Sequence, residues 1–160
     1  MREIVFTSQI TVFETIQELP AAIQDLMKKA IDVRKNAYAP YSNFRVGAAI
    51  LLDNGKIVLG SNQENAAYPS GLCAERVAIF QAGAIYPEAT ILTMAITAAS
   101  DHNRTETPVP PCGSCRQSIA EYEVRQETPI EIYFMGETGA IHKSASLKNL
   151  LPFMFEKKLL

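Results

Sequence analysis

The chain has three cysteines, and they fall at two places: Cys73, in Leu72-Cys73-Ala74-Glu75-Arg76, and the pair Cys112 and Cys115, in Pro111-Cys112-Gly113-Ser114-Cys115. No other feature limits the fold as tightly. An odd count argues against a secreted disulfide framework. In a reducing compartment a Cys-x-x-Cys marks a redox pair or metal ligands more often than a bridge. Both stretches read as helix starts, with Pro69 and Gly71 just before the first and Pro111 just before the second. Residues two apart in mid-helix diverge by about 200°, so Cys73 and Glu75 can share a site only where a helix begins. Cys112 and Cys115, three apart, face the same way on a helical turn. A fold that uses all three thiols brings two helix N-termini together, and their positive dipole ends lower thiol pKa.

Three thiolates around zinc leave one tetrahedral position. A structural site closes with a fourth protein ligand, whereas a catalytic site keeps room for water. Neither histidine, His102 or His142, stands at a ligand-like spacing, so the pattern favours an open, water-bearing site with one zinc per chain. A closed structural site, a thioredoxin-like redox pair that leaves Cys73 idle, and unmetallated core thiols are the alternatives. A dication among three thiolates is a net negative centre and a weakened Lewis acid. Arg76 offers a remedy, because a guanidinium hydrogen bond to a ligand sulfur draws off charge; its plainer reading is a surface helix arginine. Glu75 reads as a proton shuttle between water and substrate, or more plainly as a helix-end glutamate favoured by the dipole.

The rest of the chain supports a single soluble α/β domain. It has 160 residues, 48% hydrophobic and 20% charged, with a net charge of −2. No basic tract suits a nucleic acid, no apolar run nears the roughly 20 residues that span a bilayer, and the N-terminus lacks the features of a signal peptide. The expectation is a cytoplasmic protein with neither a nucleic-acid nor a membrane partner. Residues 1–18 read as an N-terminal extension, a strand or arm, ahead of one domain over 19–160. A helix is predicted from Leu19, with Pro20 in its first turn, an apolar stripe of Ile23, Leu26, Met27, Ala30 and Ile31, and Pro40 as its stop. Strands are predicted at 44–52 and 56–62 around the turn Asp53-Asn54-Gly55. A helix follows from near Cys73 to about Gly83, then a central strand at 91–100. The loop 101–111, with a solvated His102, leads to a helix from Cys112. A strand at 129–136, a turn from Gly136 to Gly139 and a final short helix at 146–155 complete the reading. His142 falls near a turn on a strand. The pattern implies a mixed sheet with helices on its faces.

Cys73-Ala74-Glu75 followed by Pro111-Cys112-Gly113-Ser114-Cys115 resembles the zinc deaminases, in which a non-ligand glutamate serves as acid and base. With Tyr41–Ala49, Asn62–Arg76, Pro111–Gln117 and Leu150–Phe155, the chain resembles the small homotetrameric cytidine deaminases of the cytidine/deoxycytidylate deaminase superfamily, over about residues 20 to 155. The resemblance implies a three-layer α-β-α fold with a mixed five-stranded sheet. It implies zinc-dependent conversion of cytidine or deoxycytidine to uridine or deoxyuridine, by attack of a zinc-activated hydroxide on the amino-bearing ring carbon and loss of ammonia, as in pyrimidine salvage. It gives Cys73, Cys112 and Cys115 as zinc ligands and Glu75 as the acid/base. Asn62 and Glu64 would grip sugar hydroxyls, Phe44 would pack near the nucleoside, and the Ala74 backbone would contact the base. Ala66 and Tyr68 would line this pocket or a neighbour's. Phe155 would close a site from another subunit of a homotetramer with shared active sites. The extension at 1–18 and the long 101–111 loop depart from the shorter members. The rivals are a deaminase of another aminated heterocycle such as blasticidin S, which would not need Asn62 and Glu64, a nucleic-acid editing deaminase, and a zinc-stapled interaction module.

Overall fold

The computed structural model describes residues 1–160. Its centre is a long hydrophobic ribbon. The nearly continuous apolar run Ile91–Ser100 forms a strand buried along almost its whole length. Numbered in chain order, the elements are β1 (Thr11–Phe13), α1 (Ala21–Arg34), β2 (Phe44–Leu52), β3 (Ile57–Ser61), α2 (Ala74–Ile85), β4 (Ile91–Ser100), α3 (Gly113–Gln126), β5 (Glu131–Met135) and β6 (Ile141–Ser144). The sheet order is β1-β6-β5-β4-β2-β3. Only β4 and β5 run parallel, with α3 as the crossover between them; every other pairing is antiparallel. Gly55, at φ 77°, takes the left-handed backbone that closes the β2–β3 turn.

The strand period of two sorts the core into two layers. On one face Ala49, Ala95, Tyr133 and Met135 meet the stripe Ile23, Leu26, Met27 and Ala30 of α1. On the other, Ala48, Ile50, Met94, Ile96, Ile132 and Phe134 meet Ala78, Ile79 and Ala82 of α2 and Ile119 and Ala120 of α3. The second cluster holds 17 buried residues against 10 in the first, so α2 and α3 start over the deeper core. No helix is long and apolar enough to cross a membrane.

Four expectations are corrected. The sheet has six strands rather than five, because Thr11–Phe13 pairs antiparallel with β6. An unpaired β6 edge would leave a row of open backbone groups, and Phe13 gains the α1-side core, 6.4 Å from the Tyr133 ring. Pro20 stands just before α1, accepting from the N–H groups of Ile23 and Gln24 at 2.8 and 3.0 Å. Pro40 does not stop that helix. It ends at Arg34, and the chain beyond turns extended because Tyr38 N–H donates to Asn62 O (3.0 Å) and Tyr38 O accepts from Glu64 N–H (2.8 Å). The final helix is a single 3₁₀ turn, Leu147–Asn149, followed by an irregular strap. Pro152 has no N–H to continue a helix, and Leu150, Leu151 and Met154 reach the core from the strap.

Candidate active site

Cys73 and Cys112 occupy the N-cap positions of α2 and α3, with extended backbones (φ −68°, ψ 154° and φ −67°, ψ 169°). Neither side chain caps its own helix, so both sulfurs are left for other work. Gly60 of β3 makes the seat: a Cβ there would stand 2.3 Å from Ala74 O and 2.6 Å from Ala78 N. The sheet backbone thus lies directly against the first turn of α2. Cys115, fully buried, comes from the first turn of α3. Cys73 Sγ and Cys112 Sγ are 3.9 Å apart, and all three sulfurs lie within 4.8 Å of one another, with no histidine or carboxylate oxygen among them. A tetrahedral ion with Zn–S near 2.3 Å spaces its sulfurs by about 3.8 Å, so the donor set fits zinc. Burial grades from Cys115 through half-buried Cys73 to exposed Cys112, which leaves one side open.

The electrostatics favour an anionic sulfur at Cys73. Hydrogen bonding from Cys115 draws the Cys73 thiol down to about 5, with further help from the Arg76 guanidinium, while Cys115 is pushed up by sharing with Cys73 and by burial. Arg76 Nη2 stands 3.8 Å from Cys73 Sγ and 3.5 Å from Gly71 O, and its Nε is buried without a partner. Glu75 is 5% exposed. Burial pushes its carboxyl up to about 7, and the Cys73 charge adds to the rise. A group poised near neutrality suits both accepting and donating a proton.

A cavity of about 450 Å³ opens beside the thiols, lined by Cys73 and Arg76 and also by Tyr41, Ser42, Asn62 and Glu64. Asn62 and Glu64 are partly committed already. Asn62 Oδ1 accepts from Val46 N–H (2.7 Å) and its Nδ2 donates to Phe44 O (2.9 Å), pinning the start of β2. Glu64 accepts from the N–H groups of Tyr41 (2.9 Å) and Ser42 (3.2 Å) and from the Ser42 hydroxyl. The Ser42 hydroxyl is the main reason its carboxyl lies below the usual range. Tyr68 lines the same cavity, its ring 5.9 Å from Tyr41. Phe44 is half-buried at the head of β2, Ala74 is buried under the α2 turn, and Ala66 is exposed in the loop between them. Phe155, 59% exposed, does not line the cavity of its own chain. His102 is exposed, and His142 on β6 packs edge-on to Phe134.

Sequence reasoning passed over Ser42, although its signal was present. It follows Pro40 and precedes Asn43, which holds φ 54°, and its hydroxyl accepts from Phe44 N–H (3.1 Å) as turn serines do. Arg45 donates from Nε to both Asp101 oxygens (2.9 and 3.0 Å) and from Nη1 to Ala37 O (2.9 Å). It ties the segment before β2 to the end of β4.

Comparisons with known proteins agree with this geometry. A family model described as the cytidine and deoxycytidylate deaminase zinc-binding region matches residues 20–128. A cytidine deaminase of Sporosarcina psychrophila is 38% identical over 136 residues, covering 85% of this chain and 93% of its own. One from Halalkalibacterium halodurans is 49% identical over 98 residues, 61% of this chain and 70% of its own. Among solved structures, the cytidine deaminase of Burkholderia pseudomallei superposes with a TM-score of 0.70 at 35% identity, over 82% of this chain and 97% of that one.

Proposed function

The chain belongs to the cytidine and deoxycytidylate deaminase family, and from that premise we propose that it hydrolyses cytidine and 2′-deoxycytidine to uridine and 2′-deoxyuridine with release of ammonia. The observation that carries this reading is the shared cavity: Cys73 and Arg76, at the thiol cluster beside buried Glu75, line the same space as Asn62 and Glu64. Cys73, Cys112 and Cys115 would hold one zinc ion per chain, which when bound supplies a Lewis acid that makes water a nucleophile near neutral pH. Glu75 moves the protons. Its carboxylate takes one from the attacking water and passes it to the ring nitrogen beside the amino-bearing carbon, and it serves again as ammonia leaves. Arg76 draws charge from the Cys73 sulfur, so that three thiolates do not quench the electrophile.

The hydrogen-bond inventory supports recognition of a single sugar hydroxyl. A carboxylate offers about four acceptor sites, and on Glu64 three are taken by Tyr41 and Ser42. Asn62 spends one N–H on Phe44 O. One acceptor on Glu64 and one N–H on Asn62 remain, the pair that a lone hydroxyl needs. The 3′-hydroxyl is common to ribose and deoxyribose, so both nucleosides fit. A deaminase of another aminated heterocycle would leave this pair idle. Exposed Phe155, outside its own chain's cavity, supports a closed homotetramer in which it walls a neighbour's site. A centre built on free thiols suits the reducing cytoplasm, and the proposed reaction would place the chain in pyrimidine salvage.

The test pairs metal analysis with ammonia release. The expected result is one zinc per chain, turnover of cytidine and 2′-deoxycytidine alike, weak turnover of 3′-deoxycytidine, and sedimentation as four chains. No ammonia from any nucleoside would overturn the reading, and undiminished activity on 3′-deoxycytidine would remove the sugar assignment.

A further inference from the structure

The C-terminal strap lies along the first turns of α3, and two adjacent side chains there hold it. Arg116 donates from Nε to Pro111 O at 2.8 Å and from Nη1 to Leu150 O at 3.0 Å. One guanidinium therefore ties the residue ahead of Cys112 to the root of the strap. Gln117 makes a two-point contact with a single residue: its Nε2 donates to Phe155 O at 2.8 Å, and its Oε1 accepts from Phe155 N–H at 3.3 Å. The amide stands in for a neighbouring β-strand, exchanging both backbone bonds with one residue. The backbone of residues 152–156 has no other hydrogen bond to the body of the fold. Leu151 and Met154 reach the core, Phe153 lies with its ring 4.6 Å from that of Phe6, and Phe155 faces outward. Apolar anchoring sets the depth of the strap, but an amide that grips both N–H and C=O of Phe155 sets the direction of that residue. A primary amide carries a donor and an acceptor side by side, the spacing that a peptide N–H and C=O present.

We propose that Gln117 is a positioning residue for the deaminase reaction: it aims Phe155, and with Arg116 it keys the C-terminal strap to the same helical turn that presents Cys112 and Cys115. The inference rests on the reading of Phe155 as a wall of a nucleoside site. Metal end and aromatic wall then share one reference frame, because Cys115, Arg116 and Gln117 are consecutive residues of one turn. In an assembly where the ring closes a second chain's cavity, the turn carries that register across the interface.

The experiment compares hydrogen exchange and steady-state kinetics of the full-length, metal-loaded protein with those of Gln117→Ala and Gln117→Glu. Alanine removes both bonds and keeps helix propensity. Glutamate keeps the acceptor for Phe155 N–H but sets a carboxylate against Phe155 O. Exchange of the Phe155 amide, the one hydrogen-bonded N–H in the peptide covering 152–156, should quicken by roughly tenfold in the alanine variant, the worth of two ordinary hydrogen bonds. It should quicken less in the glutamate variant, while α3, β4 and zinc content hold. The KM for cytidine should rise by a similar factor with a smaller change in kcat, as it should in Phe155→Ala. Unchanged exchange at 152–156 in both variants overturns the proposal. So does an unchanged KM in Gln117→Ala when Phe155→Ala raises it. An unchanged KM in Phe155→Ala itself places the fault in the reading of Phe155, and the proposal falls with it.

Discussion

The thiol end of the cleft and the end lined by Asn62 and Glu64, the proposed sugar end, are built by different physics. Ala74, Ala78, Ile79 and Cys115 have no exposed surface, and Glu75 has 5%. Two helix first turns rest there on a packed sheet, with Gly60 allowing backbone against backbone. At the Asn62–Glu64 end Tyr41, Ser42 and Tyr68 are exposed, and a web of hydrogen bonds from Ser42, Glu64, buried Asn62 and Arg45, most of them open to solvent, keeps the loop in shape. Close packing registers a single added methyl group. Exposed hydrogen bonds compete with water, and each has a small net worth. Glu75 and Cys115 are thus held by the packed core, while the proposed sugar contacts rest on many weak links.

Substitutions at the two ends should therefore differ in kind and in size. Glu75→Gln should lower kcat by ~10²–10⁴-fold, the usual contribution of a positioned acid/base, with zinc content and thermal unfolding close to the parent's. Turnover within a few-fold of the parent would take Glu75 out of the reaction. Glu64→Ala should cost about 1.5–3 kcal/mol in nucleoside kcat/KM, the loss of a charged hydrogen bond, and leave zinc in place. Assayed on free cytosine the variant should match the parent, and equal damage on base and nucleoside would contradict a sugar contact. Gly60→Ala strikes the packed end without touching a reacting group. Its methyl would collide with Ala74 O, so unfolding should come about 1–3 kcal/mol earlier, and thermal melts with zinc titration read this. A neutral result would show that α2 is not rigidly seated.

The smallest effect belongs to Ser42→Ala. Glu64 is held below the usual carboxylate range chiefly by the Ser42 hydroxyl. Its charged form, and with it the sugar grip, is present above its folded pKa and lost as pH falls through it. Without the hydroxyl that pKa rises, so the second acid-side drop in nucleoside kcat/KM, below the limb that Glu75 sets, should move to higher pH, with a loss of only a few-fold at neutral pH. A pH profile that superimposes on the parent's would mean that Ser42 does not set the state of Glu64.

Much of the fold was legible because its signals are local. The apolar run at 91–100 could only be a buried strand, and the stripe from Ile23 to Ala30 could only cover one face of a sheet. Cys73 and Cys112 were readable as helix starts from the prolines and glycine before them, and the convergence of three sulfurs follows once two such starts meet. Pro40 misled because a helix can end before its breaker when the next backbone groups are claimed elsewhere, here by Asn62 and Glu64.

Chain order and residue chemistry by themselves pointed to the mixed sheet flanked by helices and to the thiol trio with its neighbouring carboxyl and guanidinium, whereas Asn62 and Glu64 were singled out only by the resemblance to the cytidine deaminases. Each of the first two rests on a period, a cap or a donor set that a short window contains. Tertiary structure alone decided that Thr11–Phe13 is a sixth strand, since three residues become a strand only when an open edge such as β6 accepts them. It decided that Ser42 fastens Glu64 from 22 residues away. It also decided that the C-terminal segment is a strap rather than a helix, because its backbone groups are bonded by Arg116 and Gln117 of another element. In all three cases the partner lies far along the chain, and a backbone or carboxylate group takes the conformation in which that partner satisfies it.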